Sequence, residues 1–347
     1  MLASAKSISA IREYAQAKKH LFAPLLGTSQ MPSYMAFLWT LNRSNPAELN
    51  QAFLKWLQSA ADALTVQNNT IAIDGKTLRG AKGSPLHYVS AYDNTRGLLL
   101  GQVKTREKSN EITAIPELLK VIDVQGSLVT IDAMGCQKDI CTAIRERGGH
   151  YCLALKGNHG NLHAEAVNFF KQARAVEYEE VPCLRDTQHD KGHGRLETRE
   201  VTITTDLSWL DCKDDWKDLE ALVEVRSIRT IKSKKTEECR YYITSKKMSA
   251  KEASASICSH WSVESFHWVL DVLFSDDLLS PNRGYTAENL GLFRRIAYFL
   301  LKQDTVKGKG LASKQRKAMW DDGYVMEILI RMIRQANQDL PVSLPKS

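Results

Sequence analysis

Two aspartates each end an apolar run that has β character. Asp74 lies in the string TIAIDGKTLRG (residues 70–80), and Asp132 lies in the string SLVTIDAMGCQ (residues 127–137). A carboxylate beside such a run is costly to bury unless something pairs with it. Two carboxylates at strand ends can converge on one cation, since Mg²⁺ and Mn²⁺ prefer hard oxygen ligands. The pair therefore indicates metal-dependent chemistry, although each aspartate alone is equally typical of a turn or helix cap.

The elements that would position these aspartates follow from the pattern of residues 69–160. Three β-like runs, TIAIDGKTLRG, LHYVSAYDN and LLLGQVKTRE, are separated by turn residues and predict a meander of antiparallel strands. After them the sequence predicts a helix, a strand, a second helix and a further strand, in the strings SNEITAIPELLKVID, SLVTIDAM, KDICTAIRERG and HYCLALKG. The order β-β-β-α-β-α-β indicates an α/β fold with a mixed sheet covered by helices.

The flanking regions differ in character from this core. Residues 1–68 are rich in Ala, Leu, Gln and Lys, with apolar residues at helical spacing, and predict a small helical module. Residues 180–247 return to three β-like runs, RLETREVTITTDL, LEALVEVRSIRTI and CRYYITSK, which indicate a β-rich insertion. Further helices are predicted at residues 161–178, 249–275, 286–303 and 321–338, and the basic string KGKGLASKQRK (307–317) is typical of an exposed loop or a phosphate-contacting segment.

Composition narrows the class of partner and the compartment. The 347 residues carry a formal net charge of +7, which favours a polyanionic partner but equally fits a generic basic surface. The seven cysteines form no Cys-x-x-Cys pair, so a reducing compartment fits better than a disulfide framework. The amino-terminal residues are not typical of a secretory signal, and no run of about 18 apolar residues occurs. We therefore expect a cytoplasmic protein without a membrane partner.

A specific resemblance comes from six strings taken in order. They are IDGKTLRG, KSNEITAIPELL, TIDAMGCQ, LALKGN, HGRLETR and HWSVE. Together they resemble the H-repeat-associated transposases of bacterial insertion sequences, which are DDE-type enzymes, over about residues 25–335. The resemblance implies a ribonuclease-H-like catalytic core with a mixed sheet, interrupted by a β-rich insertion. The domain boundaries expected from it are 1–68 (helical module), 69–178 (first part of the core), 179–248 (insertion) and 249–347 (core completion with a catalytic-glutamate helix).

The resemblance also implies the catalytic residues and their chemistry. Asp74, Asp132 and Glu264 match the three catalytic carboxylates, which would hold two Mg²⁺ or Mn²⁺ ions. Three carboxylates can hold two such ions roughly 3.5–4 Å apart for in-line displacement at phosphorus. The implied activity is cleavage of DNA at insertion-sequence ends and transfer of the 3′-hydroxyl to target DNA. Because two DNA ends must be brought together, a homodimer or higher assembly on DNA is expected, associated with the nucleoid.

Several neighbours of these motifs are candidate DNA-binding residues. Basic, amide and imidazole side chains would contact phosphates with little sequence preference and strong salt sensitivity. The candidates are Lys76, Arg79, Lys156, Asn158, His193, Arg195, Arg199 and His260. Trp261 and Trp268 lie seven residues apart, which predicts that both belong to the core-facing side of one helix.

The segment around Glu264 departs from the family pattern. Cys258 stands where an arginine is usual, and one residue is missing between Glu264 and Trp268. A one-residue deletion rotates a helix by about 100° beyond that point. An alternative function is therefore a catalytically impaired or repurposed DNA-binding relative. A third candidate function is that of a metal-dependent nuclease, which would cleave nucleic acid but never join a 3′-hydroxyl to a target.

Overall fold

Nine strands form one continuous sheet at the centre of the protein. A computed structural model describes residues 1–62, 69–78, 86–105, 111–179, 181–192, 195–231, 234–278, 284–304 and 310–336. The sheet has the order β3-β2-β1-β4-β5-β9-β8-β7-β6. Its strands are β1 (Thr70–Leu78), β2 (Leu86–Asp93), β3 (Leu98–Thr105), β4 (Leu128–Ile131), β5 (His150–Leu155), β6 (Cys183–Gly192), β7 (Arg195–Thr204), β8 (Ala221–Ile231) and β9 (Lys234–Thr244).

The first five strands have the ribonuclease-H-like arrangement that the motifs imply. β1, β2 and β3 form the predicted antiparallel meander. β4 then adds parallel to β1, and β5 adds parallel to β4. The predicted mixed α/β sheet is therefore confirmed. In its register Ile73 of β1 lies beside Ile131 of β4, so the residues that follow these two isoleucines begin at the same level of the sheet.

The β-rich segment continues this sheet. β9 pairs antiparallel with β5, and β8, β7 and β6 follow outward. The sequence predicted three β-like runs here, and the structure adds β6, which lies at the edge of the sheet. Most described residues of β6 are exposed or half-buried, so it lacks the apolar alternation by which a strand is recognised.

Helices cover both faces of the sheet. On one face, α5 (Glu111–Val121), α6 (Lys138–Glu146) and α7 (Gly160–Ala175) pack on side chains that include Ile71 and Ile73. On the other face, α8 (Ala250–Phe274) packs on side chains that include Ala72 and Cys152. Because side chains alternate along a strand, Asp74 shares the α8 face with Ala72.

The amino-terminal helices join the carboxy-terminal ones in a single core. As predicted, residues 8–62 are mostly helical and form four helices joined by short turns, and Phe53 packs in the same apolar cluster as Phe299 and Ile328. The helices are α1 (Ile8–Ala17), α2 (Lys19–Leu26), α3 (Tyr34–Arg43), α4 (Pro46–Asp62), α9 (Thr286–Gln303), α10 (Leu311–Trp320) and α11 (Asp322–Ala336). Within the described ranges, none of the helices is both long and apolar enough to cross a membrane.

The basic string at residues 307–317 is not the exposed loop that the sequence predicted, as far as it is described. From Leu311 onward it belongs to α10. Lys314 is buried, and its Nζ donates to the carbonyl oxygens of Leu301 (3.2 Å) and Asp304 (2.7 Å). The Lys314 ammonium, which the sequence suggested as a phosphate contact, is thus bound by carbonyl oxygens at the end of α9.

Candidate active site

The parallel pairing of β1 and β4 brings Asp74 and Asp132 side by side. Each directly follows one member of the Ile73–Ile131 pair. The Asp132 side chain is exposed, and its Oδ1 accepts hydrogen bonds from the backbone N–H groups of Met134 (3.1 Å) and Gly135 (3.3 Å). The Asp74 side chain is 23% exposed. Both carboxylates are therefore held near each other and are open to solvent.

Glu264 comes from α8, a helix with a well-defined start. Ser249 and Glu252 form a capping box, in which each side chain accepts from the backbone of the other. Along the helix, His260, Glu264 and His267 follow at spacings of four and three residues, so their side chains share one face. The residue missing after Glu264 changes its spacing to His267 but leaves both on that face. Glu264 itself is exposed.

His260 lies within electrostatic range of all three carboxylates. Thr130 Oγ1 lies 3.0 Å from His260 Nδ1, which fixes the imidazole beside β4. Burial lowers the pKa of His260, and the charges of Asp74, Asp132 and Glu264 all act to raise that pKa. All three carboxylates are therefore close enough to one imidazole to act on its charge. Residues separated by 190 positions in the chain meet on the α8 face of the sheet.

The donor chemistry of this group suits a divalent cation, although the arrangement is open. In the part of the chain that the structure describes, no three His, Cys, Asp or Glu side chains are already arranged as a metal site. Mg²⁺ keeps several waters and is commonly bound by one or two carboxylates together with substrate phosphates. Carboxylates that are accessible and oriented, as Asp132 is by two backbone N–H groups, fit that mode of binding.

Comparisons with known proteins agree with the geometry. The sequence profile described as "Transposase DDE domain" matches residues 67–300. The chain belongs to this family of DDE transposases. "Putative transposase YncI" of Escherichia coli O157:H7 is 40% identical over 294 residues, which cover 80% of this chain and 72% of that protein. "H repeat-associated putative transposase YhhI" of Escherichia coli strain K12 is 38% identical over 303 residues, which cover 82% of this chain and 77% of that protein.

A more distant likeness is to a solved piggyBac transposase synaptic complex with hairpin DNA. It covers 81% of this chain and 59% of that chain at 9% identity, with a TM-score of 0.41, and nothing below depends on it. The family match and the relatives confirm the family predicted from the motifs and identify a DNA transposase. Members of this family generally act on DNA with divalent metal ions.

One predicted DNA contact of the transposase, Lys76, is not presented to DNA in the structure. Lys76 is buried, and its ammonium pairs with the Asp271 carboxylate of α8. It also donates to the carbonyl oxygen of His267 (3.3 Å) and lies 3.6 Å from Oδ2 of Asp276. A DNA phosphate would have to displace these partners. The two-residue alternation of β1 places Lys76 on the same face as Asp74, and there α8 covers it.

The other predicted DNA contacts are placed differently from one another. Lys156 is exposed just after β5. Asn158 Nδ2 donates to the carbonyl oxygen of Ala133 (2.9 Å), so its amide supports the loop that follows Asp132.

Arg199 donates to Cys258 Sγ (3.0 Å) and to Glu197 Oε1 (3.2 Å), beside α8. Arg195 begins β7, while its side chain, Arg79 and His193 lie outside the described residues.

The structure corrects the assignment of the two tryptophans and adds residues that the sequence analysis missed. Trp261 and Trp268 are 49% and 63% exposed, so they do not form a core face. The buried side of α8 is instead formed by residues such as Val263 and Phe266. His267 and Asp271 were missed as site residues. Their signal was in the sequence, because both continue the three- and four-residue spacing that starts at Glu264.

Proposed function

We propose that this transposase cleaves DNA strands at the ends of its element and transfers the resulting 3′-hydroxyl to target DNA, with Asp74, Asp132 and Glu264 as the catalytic carboxylates. The observation that supports this proposal most is geometric. β1 and β4 bring Asp74 and Asp132 to the same level of the sheet, and α8, which carries Glu264, contacts both strands there through the His267–Asp74 and His260–Thr130 pairs. The three carboxylates would hold two Mg²⁺ or Mn²⁺ ions. Such ions supply, when bound, the charge stabilisation that in-line displacement at phosphorus requires.

The chain's own residues prepare this site. Backbone N–H groups hold the Asp132 carboxylate in one orientation. His267 contacts Asp74 from α8, with Nδ1 3.3 Å from Oδ2. Thr130 fixes His260 among the three carboxylates. Such supporting contacts orient the groups that hold a cation and keep them in place as charge develops during the reaction.

DNA is the proposed partner, in agreement with the net charge of +7. Lys156 and Arg199 remain proposed contacts, because each offers a positive charge on elements adjoining the site. Since phosphate contacts release counterions, binding should weaken steeply with salt. A dimer or higher assembly on DNA remains part of the proposal, because joining requires two element ends in one complex.

The test is metal-dependent nicking and joining of DNA that carries the terminal repeats flanking the gene. Asp132→Asn should lower the nicking rate by at least about 100-fold, as expected for the loss of one preorganised electrostatic group. Asp139→Asn is the matched control, since Asp139 is an exposed acidic residue of α6 on the other face of the sheet. It should leave the rate unchanged.

Three results would contradict parts of the proposal. Equal rates for Asp132→Asn and wild type would exclude Asp132 as a catalytic residue. A wild-type protein that binds the repeats but never nicks them would favour the DNA-binding alternative. Nicking without any joining to target DNA would favour a nuclease.

A further inference from the structure

Two polar side-chain contacts join α8 to β1, one after the other along the helix. His267 meets Asp74, and four residues later on the helix Asp271 meets Lys76, two residues later on the strand. Four helical residues rise about 6.0 Å, and two strand residues span about 6.6 Å. Because these lengths nearly match, both contacts form together in one alignment of the helix on the strand.

The apolar contacts of α8 specify this alignment less strongly. Its buried apolar residues on the sheet side follow at spacings of three, four and four: Val263, Phe266, Leu270 and Phe274. A slide of the helix by one turn, about 5.4 Å, would place each near the position of the next. Apolar burial is non-directional, so it discriminates little between such alignments. The slide would break both polar contacts, His267–Asp74 and Asp271–Lys76.

Lys76 is the more constrained member of the Lys76–Asp271 pair. Its side chain is 8% exposed, against 31% for Asp271. Beyond Asp271, it is anchored by the His267 carbonyl oxygen and by Asp276, whose fully buried carboxylate also contacts Arg294 Nη1 at 3.2 Å. Burial raises the pKa of Asp271, and the Lys76 ammonium acts against that rise. A buried ammonium with three oxygen partners cannot shift by a helical turn without leaving charges unpaired.

We propose that Lys76 is a positioning residue that fixes the alignment of α8 on β1 and thereby holds Glu264 opposite Asp74 and Asp132. It contacts neither DNA nor a cation in this role. The inference rests on the proposed function, since it concerns where the third carboxylate stands. Glu264 lies only three residues before His267, so a one-turn slide of α8 would carry its carboxylate about 5.4 Å away from the two aspartates.

The experiment measures Mn²⁺ binding to the full chain without DNA, by titration calorimetry. Lys76→Met keeps the length of the side chain and removes its charge. Its Mn²⁺ affinity should fall by about 10- to 100-fold, the usual effect of losing a residue that orients a ligand. Affinity for DNA in the presence of a chelator should stay within about twofold, because Lys76 is buried. Lys120→Met is the matched control, since the Lys120–Glu117 pair lies exposed on α5; it should change neither affinity.

Asp271→Asn gives a second measurement if Lys76→Met folds poorly, and it should also lower the Mn²⁺ affinity. Asp132→Ala separates the two hypotheses. If Asp132→Ala abolishes Mn²⁺ binding while Lys76→Met and Asp271→Asn leave it unchanged, the positioning role is wrong and the proposed function stands. If Asp132→Ala leaves Mn²⁺ binding intact, the proposed metal site itself is wrong. A lower melting temperature for Lys76→Met with unchanged Mn²⁺ affinity would show that Lys76 is purely structural.

Discussion

His267 Nδ1 lies 3.3 Å from Oδ2 of Asp74, and this contact ties the helix that carries Glu264 to the strand that carries the first aspartate. The His267 side chain is buried, and its Nε2 has no hydrogen-bond partner among the described residues. The polar interaction of the imidazole is therefore directed at Asp74. A histidine so placed limits the rotation of the carboxylate that it contacts.

His267→Phe should lower the rate constant for DNA nicking at saturating DNA by about 10- to 100-fold, because Asp74 would lose its orienting partner. The KM for DNA should change little, since His267 is buried. Single-turnover nicking assays measure both quantities. His163→Phe is a suitable control, because His163 packs on Tyr241 with ring centroids 5.5 Å apart, away from the carboxylates. Equal loss in both variants would contradict a specific role for His267.

Arg174→Met should destabilise the protein by about 3–5 kcal/mol, because it leaves a buried carboxylate without its cationic partner. Arg174 on α7 pairs with Glu224 on β8, and the Glu224 side chain is 1% exposed. The double variant Arg174→Met with Glu224→Met should recover most of the loss. Urea unfolding measures these differences. Arg331→Met is the control: it removes an exposed pair with Glu327 and should lower the free energy of unfolding by less than about 1 kcal/mol. An equally small loss for Arg174→Met would show that the α7–β8 pair adds little stability.

Gly101→Ala should cost about 1–3 kcal/mol through overpacking. A Cβ at Gly101 would lie 2.5 Å from Ile122 Cγ2 and 3.0 Å from Leu118 Cδ1, in the packed core between β3 and α5. Gly160→Ala is the matched control, since a Cβ there meets nothing within 4 Å at the start of α7. That control should be neutral or stabilising by up to about 1 kcal/mol. Unfolding free energies that fall equally in both variants would count against the packing argument.

The stability of the protein should depend on pH through His150. Burial is the main cause that lowers its pKa, and the Arg145 guanidinium acts in the same direction. A lowered pKa means that the folded state prefers the neutral imidazole, so this contribution is present above about pH 6.5 and is lost as the pH falls through the lowered pKa. The urea midpoint should therefore fall less between pH 7.5 and 5.5 in His150→Gln than in wild type. The exposed His189, changed to Gln, should leave the wild-type dependence intact.

Local pattern was sufficient to single out the two aspartates and the strands that carry them, whereas Glu264 came from the resemblance to the family. Asp74 and Asp132 stand out because a charge next to an apolar β run is unusual, and the helix around Glu264 was predicted over residues 249–275, where the structure has α8. The same reasoning failed for Trp261 and Trp268. Seven-residue spacing shows that two side chains share a helical face but does not say which face the sheet covers.

By itself, the sequence determined the order of strands and helices in the core from β1 to β5, the family, and which acidic residues could do chemistry, because these depend on neighbours along the chain. Only the tertiary structure decided that β9 pairs with β5, that Lys76 is buried against Asp271, and that His267 supports Asp74. Each of these joins residues about 90 or more positions apart. Their pairing depends on how α8 and the sheet pack together, and no spacing within one segment contains that information.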